Sequence, residues 1–212
     1  MILVGAHIDR PDGKATIAII NKTLKNVRHY YTVQQAFQVP APDGADILAQ
    51  LYADPQHQTR KSVFSQDRRP RKEISAHPVI VMAATERGAD LPAGLRSANI
   101  PVEALFITET GTGITEKDPV RPGLGRDHCV PEGALLASAR MVWHQQRLAV
   151  NLADARGAEG LPAEMVRQAL EAIPEEKPSA LVLALAAPVW YRENNRYREV
   201  YQTSSTSVRK YK

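Results

Sequence analysis

Carboxylates stand just past the ends of two apolar stretches, Asp9 and Asp12 after residues 1–6, and Glu86 and Asp90 after residues 79–83. Acids delivered from separate strands to one cleft can hold a pair of divalent cations, magnesium or manganese, which activate a water and stabilise the oxygen leaving a phosphodiester. In this chain the local context works against that chemistry. Asp9 and Asp12 flank Arg10-Pro11 and precede Gly13, a setting that suits an Asx turn or a solvated charge. Only a shifted register or a bulge would turn Glu86 or Asp90 inward.

Cations are better organised than acids. Arg60, Lys61, Arg68, Arg69, Arg71 and Lys72 cluster with only Asp67 and Glu73 for local compensation. Residues 192–212 carry six basic side chains, Arg209 and Lys210 among them, against Glu193 and Glu199. That excess equals the formal net charge of the whole chain, +4. Such asymmetry steers a protein toward phosphates or an acidic partner surface. Tyr191, Tyr197, Tyr201 and Tyr211 interleave with the terminal cations, a combination that can stack on bases or anchor on a neighbouring subunit. The candidate nucleic-acid contacts are therefore Arg60, Lys61, Arg68, Arg69, Arg71, Lys72, Arg209 and Lys210. A solvated hairpin and a frayed tail would have the same composition.

Other chemical words are incomplete. Gly111-Thr112-Gly113 and Gly123-Leu124-Gly125 lack both the dinucleotide fingerprint and the lysine of a phosphate-cradling loop. The six histidines, His7, His29, His57, His77, His128 and His144, form no helical pair at zinc spacing. Cys129 is the single cysteine, which excludes an internal disulfide framework; it reads as a small buried hydrophobe. Trp143 and Trp190 sit on apolar helical faces and read as packing residues.

The elements that must position these groups follow from periodicity. With 212 residues, 43% of them hydrophobic, the chain can bury one core without staples. Residues 1–6, 15–20 and 27–38 read as three strands of a meander, the first turn marked by Pro11 and Gly13. Residues 45–52 have helical spacing, and 61–74 read as a hairpin or a polar excursion. The run 79–83 suits a strand buried on both faces, and with helix 91–98 and strand 102–107 it makes a βαβ unit whose strands pair in parallel. Residues 108–131 form the longest irregular stretch. A helix over 132–145 opened by Pro131, a short strand at 147–150, and helices over 161–173 and 179–190 follow, with Pro188 expected to kink or end the last. The sum is a mixed α/β sandwich. One domain over 1–190, with a possible hairpin insertion at 60–75, is followed by a basic tail at 191–212. No run is long enough to span a bilayer, and the opening residues lack the basic lead of a secretory signal, so a soluble intracellular protein is expected.

Three antiparallel strands, helix, strand, helix, strand is an order that resembles the ribonuclease-H-like fold. The local words are similar to the nuclease domain of phage terminase large subunits, in particular its stand-alone prophage type. They are Val4-Gly5-Ala6-His7, Val81-Met82-Ala83-Ala84-Thr85, Cys129-Val130-Pro131-Glu132, Gln146-Arg147-Leu148-Ala149-Val150 and Lys177-Pro178-Ser179-Ala180-Leu181-Val182. The resemblance spans nearly the whole chain to about Trp190. It implies a mixed sheet with a three-strand antiparallel meander, parallel strands after it and helices on both faces. It also implies metal-binding acids at the first strand, the second central strand and the last helix. At those positions this chain has His7, Met82, and Ser179 or Ala180. A thioether, a hydroxyl and a methyl cannot replace anionic oxygen around magnesium, so no catalytic residue and no resident metal are expected. The resemblance thus implies a catalytically degenerate phage or prophage protein of the bacterial cytoplasm or the virion, binding nucleic acid or serving packaging and assembly. Two alternatives are an assembly protein that oligomerises through its tail, and a magnesium- or manganese-dependent nuclease using displaced acids at Asp9, Asp12, Glu86 or Asp90.

Overall fold

β-branched and apolar residues at alternate positions give the first forty residues their form. Ile2–Asp9 (β1), Lys14–Lys25 (β2) and Arg28–Pro40 (β3) make an antiparallel meander in the computed structural model, which describes residues 1–9, 13–64, 70–84, 90–108, 115–117, 123–152, 160–173 and 178–195. Helix α1 (Ala41–Ala53) follows at once, beginning four residues earlier than its apolar spacing suggests. Pro42 lies in its first turn, where a missing N–H leaves no bond unmade.

A 3-10 turn (Pro55–His57) leads into a separate two-stranded ribbon, β4 (Thr59–Phe64) with β5 (Pro70–Ala76). The chain then re-enters the main sheet as β6 (Val79–Ala84), crosses through α2 (Asp90–Ser97) and returns as β7 (Val102–Thr108). β6 runs parallel to both β1 and β7, as a βαβ crossover requires.

Two strands lie inside the stretch expected to be irregular. β9 (Asp127–Pro131) pairs parallel to β7, and β8 (Thr115–Lys117) pairs antiparallel to β9. After α3 (Glu132–His144), β10 (Leu148–Val150) joins β3 at the far edge. The eight-stranded order is β10-β3-β2-β1-β6-β7-β9-β8.

Helices cover both faces. Side chains from α3, α4 (Ala163–Glu171) and α5 (Ala180–Asn194) pack with Leu3, Ala18, Ile20, Val81, Ala83 and Leu105 on one face. On the other, α1 and α2 cover Val4, Ala6, Ile17, Ile80, Met82 and Val102. No helix among the described residues is long and apolar enough to cross a membrane.

The sequence predicts a kink or an end at Pro188; α5 does not end there but continues to Asn194. Proline has no N–H, so the Ala184 carbonyl loses its helical donor. That carbonyl and the proline ring lie directly against Gly5 of β1: a Cβ at position 5 would overlap the Ala184 oxygen and come within 2.9 Å of Cγ and Cδ of Pro188. Glycine lets the strand take up the defect in the helix. Because the helix continues, Tyr191, Arg192 and Glu193 belong to the folded unit, and the boundary expected at residue 190 moves outward.

The β2–β3 connection is a two-residue turn with Asn26 at φ 48° and Val27 at φ 63°. Both angles fit a type I′ turn, whose second position favours glycine. Valine there carries left-handed strain of about 1–2 kcal/mol. Val27→Gly is accordingly expected to raise stability by roughly 1 kcal/mol once the backbone entropy of glycine is deducted. A urea midpoint at or below wild type would contradict it.

Candidate functional site

At the carboxyl ends of β1 and β6 the register pairs Ala6 with Met82 and His7 with Ala83. Side chains alternate across a sheet, so Leu3, Gly5 and His7 point toward α5 while Val4, Ala6 and Met82 point toward α1 and α2. Met82 is therefore separated from His7 by the thickness of the sheet, and Ala83 is the residue beside the histidine. Three positions that the resemblance would converge on one pocket do not all converge. His7 is buried, with Nδ1 3.0 Å from the Ala83 carbonyl. A carbonyl oxygen only accepts, so Nδ1 carries the ring proton.

α5 runs antiparallel to β1. Its Ala184 sits over Gly5, and Arg192, one end further on, donates to the sulfur of Met1. Its first turn therefore faces the end of β1 that carries His7. Ser179 caps that turn, its Oγ accepting from the Val182 N–H at 3.3 Å. Ala180, half-buried, is the first helical residue. Around this corner the described side chains are an imidazole, methyl groups and a capping hydroxyl.

Of the four candidate acids, Asp9 and Asp90 lie at described positions. Asp9 is the last residue of β1, paired with Lys14, so the strand does last two residues past His7. Asp90 is exposed at the start of α2 and lines a groove of roughly 280 Å³ between α1 and α2 with Asp46, Leu91 and Leu95, on the sheet face opposite His7. Asp12 and Glu86 lie outside the described residues. Among the described residues no three His, Cys, Asp or Glu side chains come together in a group that could hold a metal ion.

Two polar networks were not singled out from the sequence. Glu103 on β7 accepts from the Tyr191 hydroxyl at 3.0 Å, the Arg126 N–H at 3.1 Å and His128 Nε2 at 3.2 Å. The His128 ring meets Trp190 and Tyr191 edge-on, each at 6.0 Å between centroids. Three donors occupy the carboxylate, which suits fastening β9 and α5 to β7 better than moving a proton. Cys129, next in sequence, is half-buried rather than buried.

The second network lies at the other end of α5. Glu193 takes both arms of Arg147, at 3.1 and 3.2 Å, and the Tyr31 hydroxyl at 2.8 Å. Arg147 also donates to the His29 carbonyl and to Gln145 Oε1. Glu193 follows the apolar run 180–190 at helical spacing, a signal that a reading of 191–212 as a tail obscures.

Of the candidate cations, Arg60 and Lys61 lie on β4 and Arg71 and Lys72 on β5, with Arg60 opposite Ser75, Lys61 opposite Ile74 and Lys72 opposite Val63. Arg68, Arg69, Arg209 and Lys210 lie outside the described residues. The ribbon joins the main sheet next to Val79, which pairs with Leu3 near the start of β1. α5 ends at the same margin, since Arg192 reaches Met1. Both basic segments thus leave from the end of the sheet opposite His7 and Ser179. Comparisons with protein-family models, with curated proteins and with solved structures returned no match.

Proposed function

We propose that this chain is a catalytically degenerate, ribonuclease-H-like protein of phage or prophage type, related to terminase nucleases, that binds duplex DNA during packaging or assembly. The meander, the parallel strands after it and the helix laid across β1 support the fold reading. The observation that carries the functional reading is the separation of charge. Among the described residues, the corner where metal-binding acids would meet holds His7, Ala83, Ser179 and Ala180, while Arg60, Lys61, Arg71 and Lys72 lie on a ribbon that joins the sheet at the opposite margin.

Backbone phosphates are the natural ligand for such cations, because each neutralised phosphate releases condensed counterions and makes affinity salt-dependent. Fluorescence anisotropy of a labelled duplex tests this. With the ribbon cations engaged, affinity should fall between about 50 and 200 mM salt, with a log–log slope near −0.9 per phosphate contacted. A flat response would overturn the reading.

One observation favours a second reading. β1 extends to Asp9, two residues beyond His7, so the strand that carries the histidine also ends on an acid, as a nuclease with displaced acids needs. It requires plasmid cleavage in manganese or magnesium that Asp9→Asn removes.

A further inference from the structure

The tip of the β2–β3 hairpin was not among the expected nucleic-acid contacts. Ile2 pairs with Asn21, and the N–H of Lys22 bonds the Met1 carbonyl, so the hairpin residues beyond this pair project past the start of β1. This is the margin from which the basic ribbon and the terminal segment also leave. At the tip, Leu24 is 63% exposed and Val27 88% exposed, two of the four exposed large hydrophobic side chains among the described residues. Lys25 and Arg28, both exposed, are paired directly across the turn. The Lys25 ammonium lies 5.9 Å from the Tyr30 ring centroid.

Three features of this finger point the same way. No acidic residue occurs between Asp12 and Asp43, so Lys25 and Arg28 are uncompensated along the whole hairpin. Valine occupies a turn position where glycine would relieve the backbone, which keeps an apolar group exposed at the tip of the hairpin at a cost in stability. A two-stranded ribbon is also of a width that a DNA major groove, about 12 Å across, admits.

We infer that the β2–β3 tip is a second duplex-DNA contact, with Lys25 and Arg28 on backbone phosphates and Leu24 and Val27 set into the groove between them. The inference rests on the DNA-binding function proposed above and adds a site to it. Nothing in the composition of the tip reads base sequence, so the contact is to the backbone and to the shape of the groove.

The test uses the full-length chain, a labelled duplex and a salt series. Lys25→Ala/Arg28→Ala should reduce the steepness of the log–log salt dependence by about 2, the equivalent of two phosphate contacts, and weaken binding at least tenfold at about 100 mM salt. Leu24→Ser/Val27→Gly should weaken binding several-fold with the slope unchanged. Because glycine relieves the turn, this second variant should melt at or above the wild-type temperature, which separates lost contact from lost folding. Wild-type affinity and slope in both variants would overturn the inference and leave the DNA-binding function standing. Failure of the wild-type chain to bind the duplex would overturn both. If the apolar variant instead loses binding to phosphatidylcholine vesicles containing one-third phosphatidylserine while holding DNA normally, the tip is a membrane contact and the inference fails.

Discussion

Gly5→Ala is expected to destabilise the protein by about 3 kcal/mol or more, the upper part of the range for forcing atoms into a packed core. The new Cβ would collide with the Ala184 carbonyl, a backbone atom, so no change of rotamer relieves it. Either α5 lifts from β1 or β1 shifts against β2 and β6, and each move breaks core contacts on that face of the sheet. For a domain whose net stability is of the order of 5–15 kcal/mol, that is a large share. Gly133→Ala provides the contrast: position 133 lies in α3 with open space around it, and alanine there should stabilise by roughly 0.5–1 kcal/mol. Urea titration followed by circular dichroism reads both. A Gly5→Ala midpoint equal to wild type would refute the close approach of α5 to β1.

Glu193→Ala should be at least as damaging, at about 3–5 kcal/mol, because it strips the partner from a buried guanidinium. Side-chain exposure is 5% for both Arg147 and Glu193, so water cannot take the place of the carboxylate. Arg147 would retain Gln145 and the His29 carbonyl, two neutral acceptors for a full charge. Arg147→Met/Glu193→Leu should recover part of the loss, since replacing both ions avoids the unpaired charge. A double-mutant cycle in urea measures the coupling; additive losses would show that the pair does not act as a unit.

How far the fold could be read from the sequence depended on whether a segment's signal was local. β1, β6 and β7 are apolar runs, and the βαβ spacing between the last two dictates parallel pairing, so the centre of the sheet was legible. β9 was not, because His128 occupies a buried position in it, and the groups that make that tolerable, Glu103 on another strand and the rings of Trp190 and Tyr191, are distant in sequence. The continuity of α5 through Pro188 was hidden for the same kind of reason: the residue that accommodates the defect is Gly5, far away in sequence.

The residues of the candidate site can be read one by one in the sequence, but the face of the sheet that each takes cannot. Matching words placed Met82 beside His7, but facing depends on register, and a shift of one residue moves a side chain to the other side of the sheet. The β2–β3 tip escaped notice because Asn26-Val27 lacks the glycine that marks such turns. Its exposure and its positive φ angles become visible only once the strands are paired.

If the proposed function holds, the chain binds duplex DNA and leaves it intact. Supercoiled plasmid incubated with the full chain in low salt and manganese, then run on a native gel and again after deproteinisation, tests both halves at once. The expected result is a retarded band that returns to uncut supercoiled plasmid when the protein is removed. Nicked or linear plasmid, or a band that never shifts, would contradict it.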